Sequence, residues 1–265
     1  MKKTKVIIPA LGLLVLSTAA SVTGTVAWFS ANNTVSASGM SIKAVNNSAN
    51  LYIANGIVSE LASVNSTAPV TLSGYGVSAT TVQPVDFLKS EGTLSARIPA
   101  TYDTQPDVNV AGTGATWTNI GTLTTNAAAS MTGDYTATNY FAYGFVTIAR
   151  KQETTAAFDL VAKATVKFGA ASALNQAFRL GIMVDNGNWH ESSDSGIATA
   201  TPEGSDGTVF TFEAGAPIAE NLADNAVHTA LLVAWFEGED ENCTSNNALS
   251  LSTNQVVWEF TSSNH

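Results

Sequence analysis

Apolar and polar positions alternate with period two over much of the second half of the chain. Phe141, Tyr143 and Phe145 alternate with Ala142, Gly144 and Val146. From Phe158 to Phe168 the positions Phe158, Leu160, Ala162, Ala164, Val166 and Phe168 share one face, and Asp159, Lys163, Thr165 and Lys167 the other. Successive side chains of a strand point to opposite faces, so alternation sustained this long predicts a half-buried strand. Phe178, Leu180, Ile182 and Val184 repeat the pattern against Arg179, Gly181, Met183 and Asp185. Val209 to Phe212 predicts another strand, and Val256, Trp258 and Phe260 alternate near the C-terminus. Leu231 to Phe236 is apolar at every position, as in a central strand covered on both faces. Upstream, Met40, Ile42 and Ala44 alternate with Ser41 and Lys43, and Leu51 to Ile53 is a second short strand.

The connections are polar and rich in turn formers. Asp185-Asn186-Gly187-Asn188 predicts a turn, residues 186–208 read as a polar loop, and 170–176 as a short helical connection. Residues 65–140 are the least legible. Short apolar pulses at 70–72, 82–88, 94–98 and 117–123 are punctuated by Gly and Pro, which fits short strands and long loops. Roughly ten strands with little helix predict an all-β protein, a jelly-roll-like antiparallel β-sandwich. Residues 28–265 form that domain, with 65–140 as a candidate loop-rich β insertion.

The N-terminus has a different pattern. Lys2, Lys3 and Lys5 precede the apolar run 6–16, and small residues follow to Thr25-Val26-Ala27. Cations, a short apolar core and small residues form the tripartite pattern of a secretory signal peptide, here residues 1–27 as a signal helix. Thr25 and Ala27 fit the −3 and −1 pockets of a signal peptidase, which places cleavage before Trp28; cuts after Ala19 or Ala20 are nearby rivals. The alternative is retention of the segment as a membrane anchor, since 6–26 just reaches the span a bilayer needs. Export makes the signal peptidase a transient partner, and membrane contact is expected only through this segment.

Charge narrows the function classes. The 265 residues carry a net charge of −10, and without residues 1–27 there are 8 basic against 21 acidic groups, net −13. No cluster of Lys and Arg exists to bind phosphate, so a nucleic-acid partner is not expected. Charged residues make up only 12% of the chain, so Ser, Thr, Asn and Gly must supply its surface polarity. Cys243 is the single cysteine and forms no internal disulfide.

Candidate chemistry is sparse. His190-Glu191 lacks the second histidine of a zinc-protease motif, and His190 reads as a surface side chain in a loop. No nucleophile elbow, phosphate-binding glycine loop or dinucleotide fingerprint is present, so neither an enzyme nor a cofactor is expected. Glu237, Glu239, Asp240 and Glu241 form the densest acidic cluster and a weak calcium candidate, although solvated charges at a strand end are the commoner case. Trp117 and Trp189, placed on loops, are candidates for a carbohydrate-binding platform.

Two stretches carry a resemblance. Gly24-Thr25-Val26-Ala27-Trp28-Phe29-Ser30, followed by 35–42, resembles the exported camelysin and TasA group, whose SipW-type peptidase cuts before an aromatic-bearing segment. Residues 234–243, with Trp235, Glu237, Gly238, Asp240 and Cys243, resemble a segment of surface proteins bearing the same signal type. Together they cover about forty residues. The resemblance implies a jelly-roll subunit of extracellular matrix fibres, whose N-terminal segment pairs with the next subunit's sheet. Trp28, Phe29, Val35, Met40 and Ile42 would form that exchanged strand, making the protein its own partner; the alternative is that the strand folds back on its own sheet. The expectation is therefore an exported, non-enzymatic structural protein of a cell surface or biofilm matrix. Alternatives are a virion or appendage surface component and a carbohydrate-binding adhesin.

Overall fold

The computed structural model describes residues 41–46, 50–68, 70–72, 83–90, 92–99, 116–152, 156–168, 176–192, 208–238, 240 and 255–264. The fold is all-β, and its strands lie in three sheets. The first sheet contains β1 (Ser41–Asn46), β3 (Val70–Leu72), β9 (Ala157–Lys167), β12 (Thr208–Thr211), β13 (Ala219–Ala223) and β15 (Gln255–Asn264). Its order is β12-β9-β15-β1-β3, with β13 also pairing β9. The second contains β2 (Leu51–Asn55), β8 (Phe141–Arg150), β10 (Phe178–Val184), β11 (Trp189–Glu191) and β14 (His228–Phe236), in the order β11-β10-β14-β8-β2. The third is a meander of β4 (Asp86–Ser90), β5 (Thr93–Pro99), β6 (Trp117–Thr124) and β7 (Ala127–Met131).

The alternation read from the sequence builds the first interface. Phe158, Leu160, Ala162, Ala164 and Val166 of β9 and Val256, Trp258 and Phe260 of β15 meet Leu180 and Ile182 of β10 and Leu232 and Phe236 of β14. Lys163 and Lys167 stay exposed on the other face of β9. Each large apolar side chain buried here contributes roughly 1.5–3 kcal/mol. β9 and β15 pair over ten residues without a break, from Lys167↔Gln255 to Phe158↔Asn264.

The second sheet is buried on both faces. Phe141, Tyr143 and Phe145 of β8, Met183 of β10, and Leu231, Val233 and Trp235 of β14 face the meander, which covers them with Phe87, Leu94, Ala96, Ile98, Ile120 and Leu123. This explains why β14 is apolar throughout, as its sequence predicts, and why Met183 is buried despite lying opposite Ile182 and Val184. Phe87 meets Phe141 and Trp235 edge-on at 5.2 and 5.0 Å, geometries the ring quadrupole favours. A Cβ at Gly181 would collide with the Trp189 ring, so glycine there lets the indole lie against the sheet.

Several expectations need correction. The described residues form fifteen strands rather than about ten, because the poorly patterned segments 86–90, 93–99 and 117–131 supply the four strands of the meander. The sandwich expected from the sequence is present between the first two sheets, and the meander adds a third layer to it. The pairing is not wholly antiparallel: β1 runs parallel to β15, with Ile42 opposite Val256, and antiparallel to β3, with Ile42 opposite Leu72. The polar loop 186–208 contains β11, which pairs with β10 through Met183↔Trp189 and Gly181↔Glu191. Residues 1–27 and the connection 170–175 lie outside the described residues. Among the described residues no helix is long and apolar enough to cross a membrane.

Candidate functional site

The N-terminal strand is the first candidate. Of the proposed exchange residues, Ile42 lies in β1, between β15 and the three-residue β3 of its own chain. Trp28, Phe29, Val35 and Met40 lie outside the described residues, as do Thr25 and Ala27. β1 is held by a six-residue parallel register on one side and a three-residue register on the other.

The acidic run has intramolecular partners at its two described positions. Asp240 accepts from Arg179 Nη2 at 2.7 Å, and Arg179 is itself buried in β10. Glu237 Oε2 accepts from Trp235 Nε1 at 3.0 Å. Glu239 and Glu241 lie outside the described residues, as does Cys243. Among the described residues no group of three or more His, Cys, Asp and Glu is arranged to hold a metal.

The aromatic candidates belong to strands, not loops. Trp117 opens β6 beneath the Arg97 guanidinium, 4.9 Å from the ring centroid. Trp189 lies in β11 and packs 5.8 Å from Trp235 and 6.1 Å from Phe87.

The histidines hold the polar chemistry of the fold, and His190 is not a surface side chain. It stands opposite Ile182, whose side chain belongs to the first interface, so His190 faces the gap between the first two sheets. Its residue is only 9% exposed. Nδ1 lies 2.9 Å from Glu213 Oε1. A carboxylate only accepts, so Nδ1 carries the hydrogen and in the neutral ring Nε2 is a bare lone pair. That Nε2 is buried and has no hydrogen-bond partner. His190 also lines a cavity of about 450 Å³, whose other walls include Val184, Asp185, Ile218, Glu220 and Leu222.

The β10–β11 turn shapes the same region. Asp185 and Asn186 have φ of 48° and 57°, and Gly187 N donates to Val184 O at 2.7 Å. Two consecutive left-handed residues form the tight turn that starts this connection, and Asp and Asn tolerate them best after glycine. The Asn186 carboxamide oxygen accepts from Thr125 N and Oγ1, at 2.8 and 2.9 Å, tying the turn to the meander.

Asp185 turns instead toward β14. Its Oδ1 accepts from Thr229 N at 2.7 Å, and its Oδ2 lies 2.6 Å from His228 Nδ1. His228 Nε2 lies 3.0 Å from the Ala223 carbonyl. Both neighbours are acceptors, so both ring nitrogens donate and the imidazolium is the form that satisfies the site. Burial works against that charge, but the hydrogen bond to Asp185, the bond to Ala223 and the Asp185 charge outweigh it. The His228 pKa is therefore raised above 6.5.

Beside His228 lies a second buried pair. Arg150 Nε meets Asp224 Oδ1 at 2.5 Å, and its Nη2 meets Oδ2 at 3.2 Å and the Ala157 carbonyl at 2.8 Å. Their side chains are 2% and 0% exposed. The Arg150 guanidinium covers one face of Phe158, 4.7 Å from its centroid, and His228 meets the same ring edge-on at 5.7 Å. The sequence carried a signal for these ions. Arg150 ends a strand that is otherwise uncharged, and Arg179 interrupts an apolar one; a charge in such a strand needs a buried partner.

No protein-family model matches the chain, and no curated protein does either. Among solved structures it is similar to AvmM, described as catalysing macrocyclization in alchivemycin A biosynthesis, at 13% identity and a TM-score of 0.25. The match covers 37% of this chain and 56% of that one, and at that level it bears on neither fold nor function.

Proposed function

We propose that this chain is an exported, non-enzymatic structural protein of a cell surface or biofilm matrix, which assembles into fibres by exchange of its N-terminal strand. The observation that carries the reading is the placement of β1. It is the first described strand after the signal-like segment, and it is added parallel to the C-terminal strand β15 with only the three-residue β3 beyond it. Such a strand can leave its slot by breaking two short ladders, and an identical strand from a second copy would satisfy the same backbone groups. Exchange that runs head to tail and does not close makes a filament. The acidic, weakly charged composition and the Trp28-Phe29 start support the same reading.

Export depends on residues 1–27 acting as a cleaved signal, and N-terminal sequencing of the exported protein reads this directly: the expected start is Trp28. Assembly is tested by light scattering of that protein over rising concentration. Growth to polymers supports strand exchange; a chain that stays monomeric at the highest soluble concentration argues against it.

A further inference from the structure

We propose that His228 is a proton-gated latch, which fastens β13 to the β10–β11 turn across the gap between the first two sheets and releases β13 when its ring becomes neutral. The ring sits where three segments meet. Its Nδ1 donates to Asp185 Oδ2 of the turn at 2.6 Å, and its Nε2 donates to the carbonyl of Ala223, the last residue of β13, at 3.0 Å. Only the imidazolium has a hydrogen for each acceptor. A neutral ring keeps one hydrogen, and the bond to the carboxylate is the stronger because its acceptor is charged. The hydrogen is therefore lost from Nε2, whose lone pair then faces the Ala223 oxygen. Two acceptors at that distance repel, and β13 is the partner that gives way.

β13 is built to yield there. Its register on β9 has three pairs and is broken between Ala219 and Leu222. Asn221, inside the break, has a φ of 56°. Asp224, the next residue after β13, is held independently by buried Arg150 and supplies a fixed hinge. Ile218, Glu220 and Leu222 form one side of the cavity of about 450 Å³, and Val184, Asp185 and Asn188 the other. Release therefore widens this cavity and uncovers the β9 edge from Ala157 to Leu160.

The charges around the ring set the direction. The turn presents Asp185, and the end of β13 presents Asp224, neutralised by Arg150 of β8. β9 presents the Phe158 ring between Arg150 and His228, β14 carries no other charge, and Glu220 of β13 shares the cavity with Asp185. Burial disfavours the imidazolium, but the Asp185 and Ala223 bonds and the Asp185 charge outweigh it and raise the pKa above 6.5. The latch is thus shut below about pH 6.5 and is released as pH rises through the higher folded value.

The latch does not depend on strand exchange and is scored on monomer. Full-length chain is followed by native-state hydrogen exchange from about pH 5.5 to about pH 8.5, with rates corrected for intrinsic exchange, while NMR reads the ring titration. The amides of Ile218 and Asn221 donate to the Leu160 carbonyl and to Asp159 Oδ1. Their protection should fall about tenfold, the weight of one hydrogen bond from a charged donor, with the midpoint of the His228 ring. That opening should be insensitive to low denaturant, whereas β15 amides should exchange only through denaturant-sensitive global unfolding. His228→Gln should make exchange at Ile218 and Asn221 independent of pH. Should that variant fail to fold, Asp185→Asn still offers an oxygen to Thr229 N and should move the ring midpoint and the opening midpoint to lower pH together. The proposal is overturned by exchange at Ile218 and Asn221 that stays constant through the ring titration, or that shares the denaturant dependence of β15. It is equally overturned if Asp185→Asn moves the ring midpoint and leaves the opening behind.

Discussion

The second sheet has two covered faces, and they are covered differently. Its inner face meets β9 and β15, long strands in unbroken ten-residue register. Its outer face meets a meander of short strands whose register shifts between Ala96 and Arg97 and again between Thr122 and Thr124. The inner interface mixes alanines with aliphatic and aromatic side chains, and the outer gathers Phe87, Phe141, Tyr143, Trp189 and Trp235 into edge-on and tilted contacts. Regular ladders let small and large residues interdigitate along a fixed spacing. Irregular strands cannot keep that spacing, and large rings fill the uneven gap instead. The lesson is that a sheet can be buried on both sides while only one side carries a clean sequence signal.

The largest test of this contrast removes the ion at the end of the inner interface. Arg150→Ala leaves Asp224 charged and buried, and should cost about 3–5 kcal/mol in urea unfolding. The double change Arg150→Met with Asp224→Leu should recover most of it, because apolar side chains replace a buried pair at little loss. On the outer face, Gly181→Ala pushes Trp189 off the sheet and should cost about 1–3 kcal/mol. Hydrogen exchange should then rise in β4 to β7 and β11 while β9 and β15 stay protected. Equal loosening of both interfaces would mean that the two faces unfold as one unit.

Next comes the pH dependence of the inner mouth. The His228 pKa is raised on folding, so its contribution is fully present below the unfolded value of about 6.5 and is lost as pH rises through the folded value. Stability measured across that window should fall with rising pH, and His228→Asn should flatten the fall. The smallest effect belongs to the solvent face of the first sheet. Lys163 and Glu259 are 2.7 Å apart with side chains 47% and 21% exposed, so Lys163→Ala should cost about 0–1 kcal/mol.

The same contrast decides what was legible. Phe158 to Phe168 and Val256 to Phe260 announce their strands because one face meets solvent and the other a core. Leu231 to Phe236 announces a strand covered on both faces through its unbroken apolar run. The meander was not legible as a layer, because its strands are short and carry Thr, Ser, Asn and Gly, and because what it covers lies elsewhere in the chain. Trp189 and His190 read as loop residues because β11 has three residues, too few to show a period. Its two neighbours face opposite ways, Trp189 to the meander and His190 to the inner gap, a placement set by pairing with β10. The two histidine pairs are hidden for a related reason: His190 meets Glu213, and His228 meets Asp185, across long sequence separations that only the fold closes.

Strand exchange remains the central functional claim, and negative-stain electron microscopy of two purified chains tests it most directly, one beginning at Trp28 and one at Gly39. Both retain β1, and they differ in the apolar segment before it. Filaments from the first are the predicted result, and their loss from the second would mean that residues 28–38 must travel with the exchanging β1. Monomers from both would contradict the account and leave β1 as a strand of its own sheet alone.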